Sequence, residues 1–231
     1  MIKGAICHED FKGNKGKIGP GDLQWMTAGK GIVHAEMPAS KEELSIGFQL
    51  WINLKSDKKM TAPSYQKHTA DKIPSVKKDE AEVKVICGSW GGVKGPIEDR
   101  TPSYYFDVKL NSKGSFSIPT PAKWNVIIFV FEGEALYNNK TKVGTDTCCV
   151  LEQSNDKETQ HTFTSENGAR FLLIGGEPIN EPIAQHGPFV MNTQQQIAET
   201  FKDYQTGSNG FEGADKWESK IQYMAKGKEY D

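Results

Sequence analysis

A histidine and a glutamate two residues apart are the clearest chemistry-bearing residues in the sequence. His34 and Glu36 lie near the end of the glycine-rich stretch 19–38, GPGDLQWMTAGKGIVHAEMP, which finishes in a short apolar segment. In a strand, residues i and i+2 leave the same face, about 7 Å apart along the backbone. An imidazole and a carboxylate so placed are able to bind one metal ion, given further ligands from a facing strand. A surface His–Glu pair without function is the alternative that this common pattern leaves open.

The remaining histidines add no ligand set of their own. His8 lies in HEDF beside a turn, where we expect it to be exposed. The other three are His68, His161 and His186. None makes the H-x-H or H-x-x-x-H spacing that would complete a metal site with the first pair. No Ser-His-Asp arrangement, P-loop or dinucleotide-binding fingerprint is visible.

The composition excludes several classes of protein. The 231 residues carry 28 Lys+Arg against 30 Asp+Glu, a net charge of −2, so neither direct nucleic-acid binding nor attachment to an anionic membrane is expected. The longest apolar run, 126–131, is too short to span a bilayer. The four cysteines include no C-x-x-C pair, which predicts reduced thiols in an intracellular protein and no structural zinc site.

Period-two patterns predict an all-β fold. In residues 103–110, SYYFDVKL, apolar side chains alternate with polar ones, as in a half-buried strand. Further strands are predicted at 2–7, 32–37, 46–54, 82–87, 124–131, 148–151, 161–164 and 170–174. Residues 126–131 are apolar on both faces and should form a central buried strand. Several short strands separated by turns are typical of a β-sandwich or barrel.

We expect four segments along the chain. Residues 1–66 form an N-terminal β domain, 67–80 a charged and solvated linker, 81–181 a C-terminal β domain, and 182–231 a helical extension. In the extension Asn192 or Thr193 is able to cap one helix, with Gly207 just after its end. Asp215 is a candidate cap for a second, shorter helix.

Several motifs resemble those of the pirin family. The long match is GDLQWMTAGKGIVHAEMP at 21–38, and the others are HEDF at 8–11, GFQLWINL at 47–54, RTP at 100–102 and EPIAQHGPFVMNT at 181–193. They occur in the family's order from about residue 4 to residue 220. The endings NGFE at 209–212 and WESKI at 217–221 are most similar to those of eukaryotic pirins.

The resemblance implies a fold, a metal and two kinds of activity. Pirins are bicupins, with two double-stranded β-helix barrels in tandem and C-terminal helices, and the C-terminal barrel carries no metal as a rule. They bind Fe(II) and act in the nucleus and cytoplasm as transcriptional co-regulators of Rel-type factors. Several also show quercetin 2,3-dioxygenase activity on the flavonol. The family's iron is held by three histidines and one glutamate, and two of these four match His34 and Glu36.

The match also departs from the family at its metal site. The family's other two ligands form an H-x-H pair on a strand upstream of the region where this chain begins, so we expect an incomplete N-terminal barrel. A fragment, a mis-started gene product and a degenerate paralogue all fit this pattern. We therefore expect a monomeric interaction module that holds Fe(II) weakly through His34 and Glu36. The alternative is a dioxygenase in which Glu36 acts as a ligand or catalytic base.

Overall fold

The computed structural model describes residues 1–153 and 158–226, and most of the ordered backbone lies in β-strands. The chain divides into two compact units. Unit 1 is Met1–Ala70 with the described part of Asn180–Asp231, and unit 2 is the described part of Asp71–Ile179. Among the described residues, no helix is long and apolar enough to cross a membrane.

Unit 2 is built around one nine-stranded sheet and a small hairpin. The sheet strands are β6 (Ser75–Lys78), β7 (Ala81–Cys87), β10 (Ser103–Leu110), β11 (Gly114–Pro121), β12 (Asn125–Tyr137), β13 (Thr141–Gly144), β14 (Thr147–Val150), β15 (Glu158–Ser165) and β16 (Ala169–Gly176). Their order is β11-β15-β12-β16-β10-β7-β6, and β13 and β14 also pair with β12. The hairpin is β8 (Ser89–Trp90) with β9 (Val93–Lys94).

The longest strand, β12, lies at the centre of unit 2. Its first part pairs with β16 and β14, and its last residues pair with β13 and β15. At the bend Gly133 has a φ of 72°, and a Cβ there would lie 2.2 Å from the carbonyl oxygen of Gly168. The apolar side chains of alternate residues on these strands, such as Phe106, Phe163 and Phe171, are fully buried in one core. The predicted central strand is confirmed.

The segment expected to be a linker is ordered secondary structure. Residues 67–80 contain the end of a strand, a 3₁₀ turn at Ala70–Lys72 and all of β6. All four residues of β6 pair with β7; Val76 is half-buried, and the two lysines remain exposed. Since an edge strand needs backbone pairing on one side only and often carries lysines, its composition resembles that of a solvated connector. The sheet of unit 2 therefore begins at Ser75, inside the expected linker and before the expected domain start at residue 81.

Unit 1 contains three small sheets. Its strands are β1 (Ile6–Asp10), β2 (Lys15–Ile18), β3 (Leu23–Thr27), β4 (His34–Pro38), β5 (Ser64–His68), β17 (Ala184–His186) and β18 (Phe189–Met191). They pair as β2-β1-β4, β3-β5 and β17-β18, all antiparallel. Within the described residues these strands do not close into one continuous sheet.

The three-stranded sheet of unit 1 has one face covered by the C-terminal part of the chain. Cys7 packs there with Ile221 and Met224 of the 3₁₀ segment Lys220–Lys226. Glu9, on the same face, accepts hydrogen bonds from the backbone N–H groups of Lys220 and Ile221. Ile221 and Met224 therefore form part of the core of unit 1.

Only one long helix is present in the described chain. Helix α1 (Ser56–Lys59) is a single turn, and α2 (Gln194–Thr206) has 13 residues. Thr193 caps α2 through a capping box with Gln196, and Gly207 ends it at a φ of 62°, as the sequence predicts. Instead of the second expected helix there are two 3₁₀ segments, Ala214–Lys216 and Lys220–Lys226. The all-β class with a C-terminal helix is confirmed.

Candidate functional site

His34 and Glu36 lie on the face of the three-stranded sheet in unit 1 that is opposite the face packed against Lys220–Lys226. Both side chains are exposed, and they alternate with the half-buried Ala35 and Met37 along β4. In the antiparallel pairing of β1 with β4, His34 lies opposite Asp10 and Glu36 lies opposite His8. Directly opposed residues share a face, so these four side chains lie on one side of the sheet. As the sequence predicts, His34 and Glu36 therefore lie on one strand and on the same face of it.

Glu36 is held by a short chain of hydrogen bonds. The amide nitrogen of Gln49 donates to Glu36 Oε2 at 3.3 Å, and Trp51 Nε1 donates to Gln49 Oε1 at 2.9 Å. Trp51 is 64% exposed, so the chain of contacts runs along the surface. A carboxylate fixed by one neutral donor keeps lone pairs free to bind a cation.

Asp10 has no such free lone pairs. Its Oδ1 accepts from the backbone N–H groups of Lys12 and Asn14, both at 2.9 Å. Its Oδ2 accepts from the Asn14 side chain at 2.8 Å and from the Tyr65 hydroxyl at 2.6 Å. Burial would raise the pKa of Asp10, but these hydrogen bonds outweigh it and hold the pKa below its usual value. Asp10 is a structural anion and not a metal ligand.

His8 is buried, which corrects the expectation that it is exposed. Its side chain is 4% exposed and lies on β1, the middle strand of its sheet. The ring lies over Gly16 of β2: a Cβ at that position would be 2.8 Å from His8 Nε2 and 3.3 Å from Lys67 Nζ. Burial, followed by the charge of Lys67, lowers the pKa of His8 to about 4, so the ring is neutral at pH 7.

The anchoring residues Asp10, Tyr65 and Gln49 are not predicted by the sequence patterns. Asp10 follows His8 by two residues, which is the same spacing as in the His34–Glu36 pair. That repeated spacing was the available signal. The partners Tyr65 and Gln49 had none, because they come from distant parts of the chain.

A cleft of about 360 Å³ opens beside the Asp10 network. It is lined by Lys12, Asn14, Ile32, Pro63, Ser64 and Tyr65. Burial and the hydrogen bond to Asp10 raise the pKa of Tyr65, so the phenol stays protonated and remains a donor. The volume lies within the range of small-ligand pockets, and the lining combines one ammonium group with amide, hydroxyl and apolar surfaces.

The donor set fits only part of a metal site. Among residues 1–153 and 158–226, no group of three or more His, Cys, Asp or Glu side chains is placed to hold one ion. His34 and Glu36 are both available on the surface, whereas Asp10 is fully hydrogen-bonded and His8 faces Gly16. A mononuclear metal site in a protein usually takes three or four protein ligands.

In unit 2, His161 is fully buried and engaged at both ring nitrogens. Thr120 Oγ1 lies 3.0 Å from Nε2, and Tyr137 Oη lies 2.9 Å from Nδ1. Burial lowers the pKa of His161. These contacts make it a neutral part of the core.

Comparisons with known proteins agree with these features. The family model of pirin matches residues 1–52, and the model of the pirin C-terminal cupin domain matches residues 105–210. Pirin of Rattus norvegicus is 43% identical over 221 residues, which cover 94% of this chain and 75% of that protein.

Solved structures give the same result. A crystal structure of quercetin 2,3-dioxygenase from Acinetobacter baumannii has a TM-score of 0.80 and 32% identity, covering 91% of this chain and 74% of that one. The bacterial pirin YhhW of Escherichia coli in complex with nickel(II) has a TM-score of 0.56 and 18% identity, covering 77% and 70%, which shows the fold alone. On the extent of these matches, the chain belongs to the pirin family.

Proposed function

We propose that this chain is a metal-linked protein-interaction module of the pirin type, a transcriptional co-regulator with an impaired metal site. The single observation that carries the proposal is the exposed His34–Glu36 pair, which no third ligand joins within the described residues. Two donors bind a divalent ion such as Fe(II) weakly and reversibly, because most of its coordination sphere stays with water. The metal then changes the affinity of this surface for a protein partner and does not remain bound as a permanent cofactor.

The proposed partner of this surface rests on the resemblance to pirins. We propose Rel-type transcription factors or similar nuclear regulators as partners, and the nucleus and cytoplasm as the location. The near-neutral net charge of −2 supports contact with a protein and not with DNA. Exposed Trp51, joined to Glu36 through Gln49, adds an aromatic side chain of the type that is enriched in protein interfaces.

Metal retention tests the proposed site. The dilute chain would be loaded with Fe(II) under anaerobic conditions, dialysed, and analysed for iron together with His34→Ala and a matched control, His186→Ala. His186 is an exposed histidine of the same unit. We expect the wild type to keep well under one iron per chain, and His34→Ala to keep less than His186→Ala. One tightly held iron per chain would overturn the impaired site.

Partner binding tests the proposed role. The purified chain would be titrated with a recombinant Rel homology region in the presence of Fe(II) or of a chelator. We expect saturable binding that weakens with the chelator and with His34→Ala, and that is unchanged by His186→Ala. Absence of binding in every condition would contradict the co-regulator role.

A second candidate is Fe(II)-dependent quercetin 2,3-dioxygenase. It is favoured by the 32% identity to the Acinetobacter baumannii protein of that name and by the 360 Å³ cleft, one of whose lining residues, Ile32, lies two positions before His34. In this role Glu36 would act as a metal ligand or as the base that takes the flavonol proton. Oxygen uptake with quercetin and Fe(II) decides between the candidates. Turnover lost in Glu36→Gln but kept in Glu43→Gln would favour the enzyme.

A further inference from the structure

The C-terminal part of unit 1 packs on the turn that leads into β4. Gly31, the last residue of the turn 28–31, lies three positions before His34, where the strand begins. We infer that Phe211 is a positioning residue for the His34–Glu36 pair, because its ring fixes this turn. The inference rests on the proposed function, since the pair is the proposed metal-binding site, and it gives a role to the NGFE motif at 209–212.

The ring of Phe211 lies directly against the backbone of Gly31. A Cβ at Gly31 would be 2.4 Å from Cζ of the ring and 2.6 Å and 2.9 Å from its two Cε carbons. No side chain larger than hydrogen fits there, and the φ of 145° also favours glycine. The tip of the ring therefore occupies the place that a side chain would take at residue 31.

A second glycine makes the contact reciprocal. At Gly210, where φ is 120°, a Cβ would be 2.8 Å from Cγ of Lys30 and 3.1 Å from its carbonyl oxygen. Lys30 of the turn therefore packs on the backbone before Phe211, while Phe211 packs on the backbone after Lys30. Because both contacts are close-packed, a shift of the turn along the C-terminal part of the chain would disrupt both of them.

Phe211 is itself held in place by α2 and β18. It is 2% exposed, and the rings of Tyr204 and Phe189 meet it edge-on, with centroid distances of 5.4 Å and 6.2 Å. Edge-to-face packing is a favoured aromatic geometry. The carboxylate of Glu212 accepts a hydrogen bond of 3.1 Å from the backbone N–H of Gly210, which fixes the chain just before the ring. The position of the ring is therefore set by ordered secondary structure.

Backbone hydrogen bonds connect the fixed turn to β4. The N–H of Lys30 donates to the carbonyl oxygen of Thr61 at 3.0 Å, and the carbonyl oxygen of Val33 accepts from the N–H of Phe11 at 3.0 Å. His34 follows directly as the first residue of the strand. A displacement of the turn would therefore move the start of β4 and change the direction of the His34 side chain.

The direction of His34 matters for a metal-binding pair. A side chain that is held in its binding geometry before the ion arrives loses less conformational entropy on binding. Loss of the Phe211 contact would let the turn, and His34 after it, take other positions. The affinity for a divalent ion should then fall although both ligands remain, as it does when residues that orient metal ligands are changed.

Hydrogen–deuterium exchange of the metal-free chain tests the contact with the turn. The test variant is Phe211→Leu, which stays apolar but has no atom at the position of Cζ to meet Gly31. The control is Phe201→Leu, which changes the same aromatic cluster through Phe189. We expect the amides of residues 28–36 to exchange about tenfold faster in the test variant than in the wild type or the control. Equal exchange in the two variants would overturn the inference.

Fe(II) affinity tests the link from the turn to the pair. It would be measured anaerobically by competition with a chromophoric chelator. We expect Phe211→Leu to bind Fe(II) about tenfold more weakly than the wild type, and Phe201→Leu to bind it as the wild type does. Faster exchange with unchanged affinity would overturn the positioning role and leave the proposed function intact. No Fe(II) binding by the wild type would overturn both.

Discussion

The hydroxyl of Tyr65 donates a 2.6 Å hydrogen bond to Oδ2 of Asp10 and so joins the sheet β3-β5 to the sheet β2-β1-β4. Asp10 is 3% exposed, and the other three donors to its carboxylate come from its own turn. Tyr65 is therefore the only donor in this set that is distant in sequence. This bond is one polar link between the two sheets, and Lys67 Nζ of β5 donates another to the carbonyl oxygen of Lys15 in β2 at 3.0 Å.

Tyr65→Phe should destabilise unit 1. A hydrogen bond to a charged group contributes about 1.5–3 kcal/mol, and the phenylalanine ring keeps the packing. Urea unfolding should therefore show a loss in that range, with Tyr204→Phe, at a 45% exposed position, as the control. Equal stability of the two variants would mean that Asp10 does not need its fourth donor.

Gly16→Ala should also destabilise unit 1, through His8. The added Cβ would lie 2.8 Å from His8 Nε2, and overpacking of a filled site costs about 1–3 kcal/mol. Gly144→Ala is the matched control, because a Cβ there meets nothing within 4 Å. In a His8→Ala background the cost of Gly16→Ala should fall. An unchanged cost in that background would show that the clash is not with His8.

The stability of unit 2 should decrease as the pH is lowered, because His161 is buried in its neutral form. Burial lowers the pKa of this imidazole, so the unfolded chain binds a proton near its ordinary pKa of about 6.5 while the folded unit does not. The stabilisation that comes from keeping His161 neutral is therefore fully present above pH ~6.5 and is lost progressively as the pH falls below this value. The free energy of unfolding then falls by up to about 1.4 kcal/mol per pH unit.

His161→Gln should lose this part of the pH dependence. The measurement is the urea midpoint of wild type and variant between pH 7.5 and about 5. The variant is less stable at pH 7.5, since the contacts with Thr120 and Tyr137 change, and its midpoint should fall less steeply towards acid. Parallel curves for the two proteins would assign the pH dependence to other groups.

Arg170→Met should destabilise unit 2 more than a surface ion pair would suggest. Arg170 contacts Asp107 in a bidentate manner, with Nε at 2.9 Å and Nη2 at 2.7 Å, and both side chains are mostly buried. Removing one partner leaves a largely buried carboxylate unpaired, which in buried pairs costs about 3–5 kcal/mol. Lys142→Met breaks the exposed pair with Glu134 and should cost less than about 1 kcal/mol. Equal losses in thermal unfolding would contradict this difference.

Local sequence patterns correctly predicted the elements that are determined by residues close together in the sequence. The alternation in 103–110 and the apolar run at 126–131 correspond to β10 and the centre of β12. The Thr193 cap and Gly207 terminus define α2 as predicted. Such features depend on backbone geometry and on burial of one face, and the residue types nearby in the sequence indicate both.

Patterns failed where the decisive neighbour is distant along the chain. The lysine-rich residues 75–78 resemble a linker, and only their pairing with β7 makes them an edge strand. His8 looks exposed in its own turn, yet β2 and β4 flank it on both sides. In both cases the partner strand decides, because composition does not report which backbone groups are paired.

By itself the sequence determined the all-β class, the capped helix α2, the family resemblance and the placement of His34 and Glu36 on one strand face. The tertiary structure alone decided which other side chains meet them. It places Gln49 on Glu36, saturates Asp10 through Tyr65, and turns His8 onto Gly16. The physical reason is that a strand's own period sets the direction of a side chain, whereas ligand number and hydrogen-bond saturation depend on contacts between residues far apart in the chain.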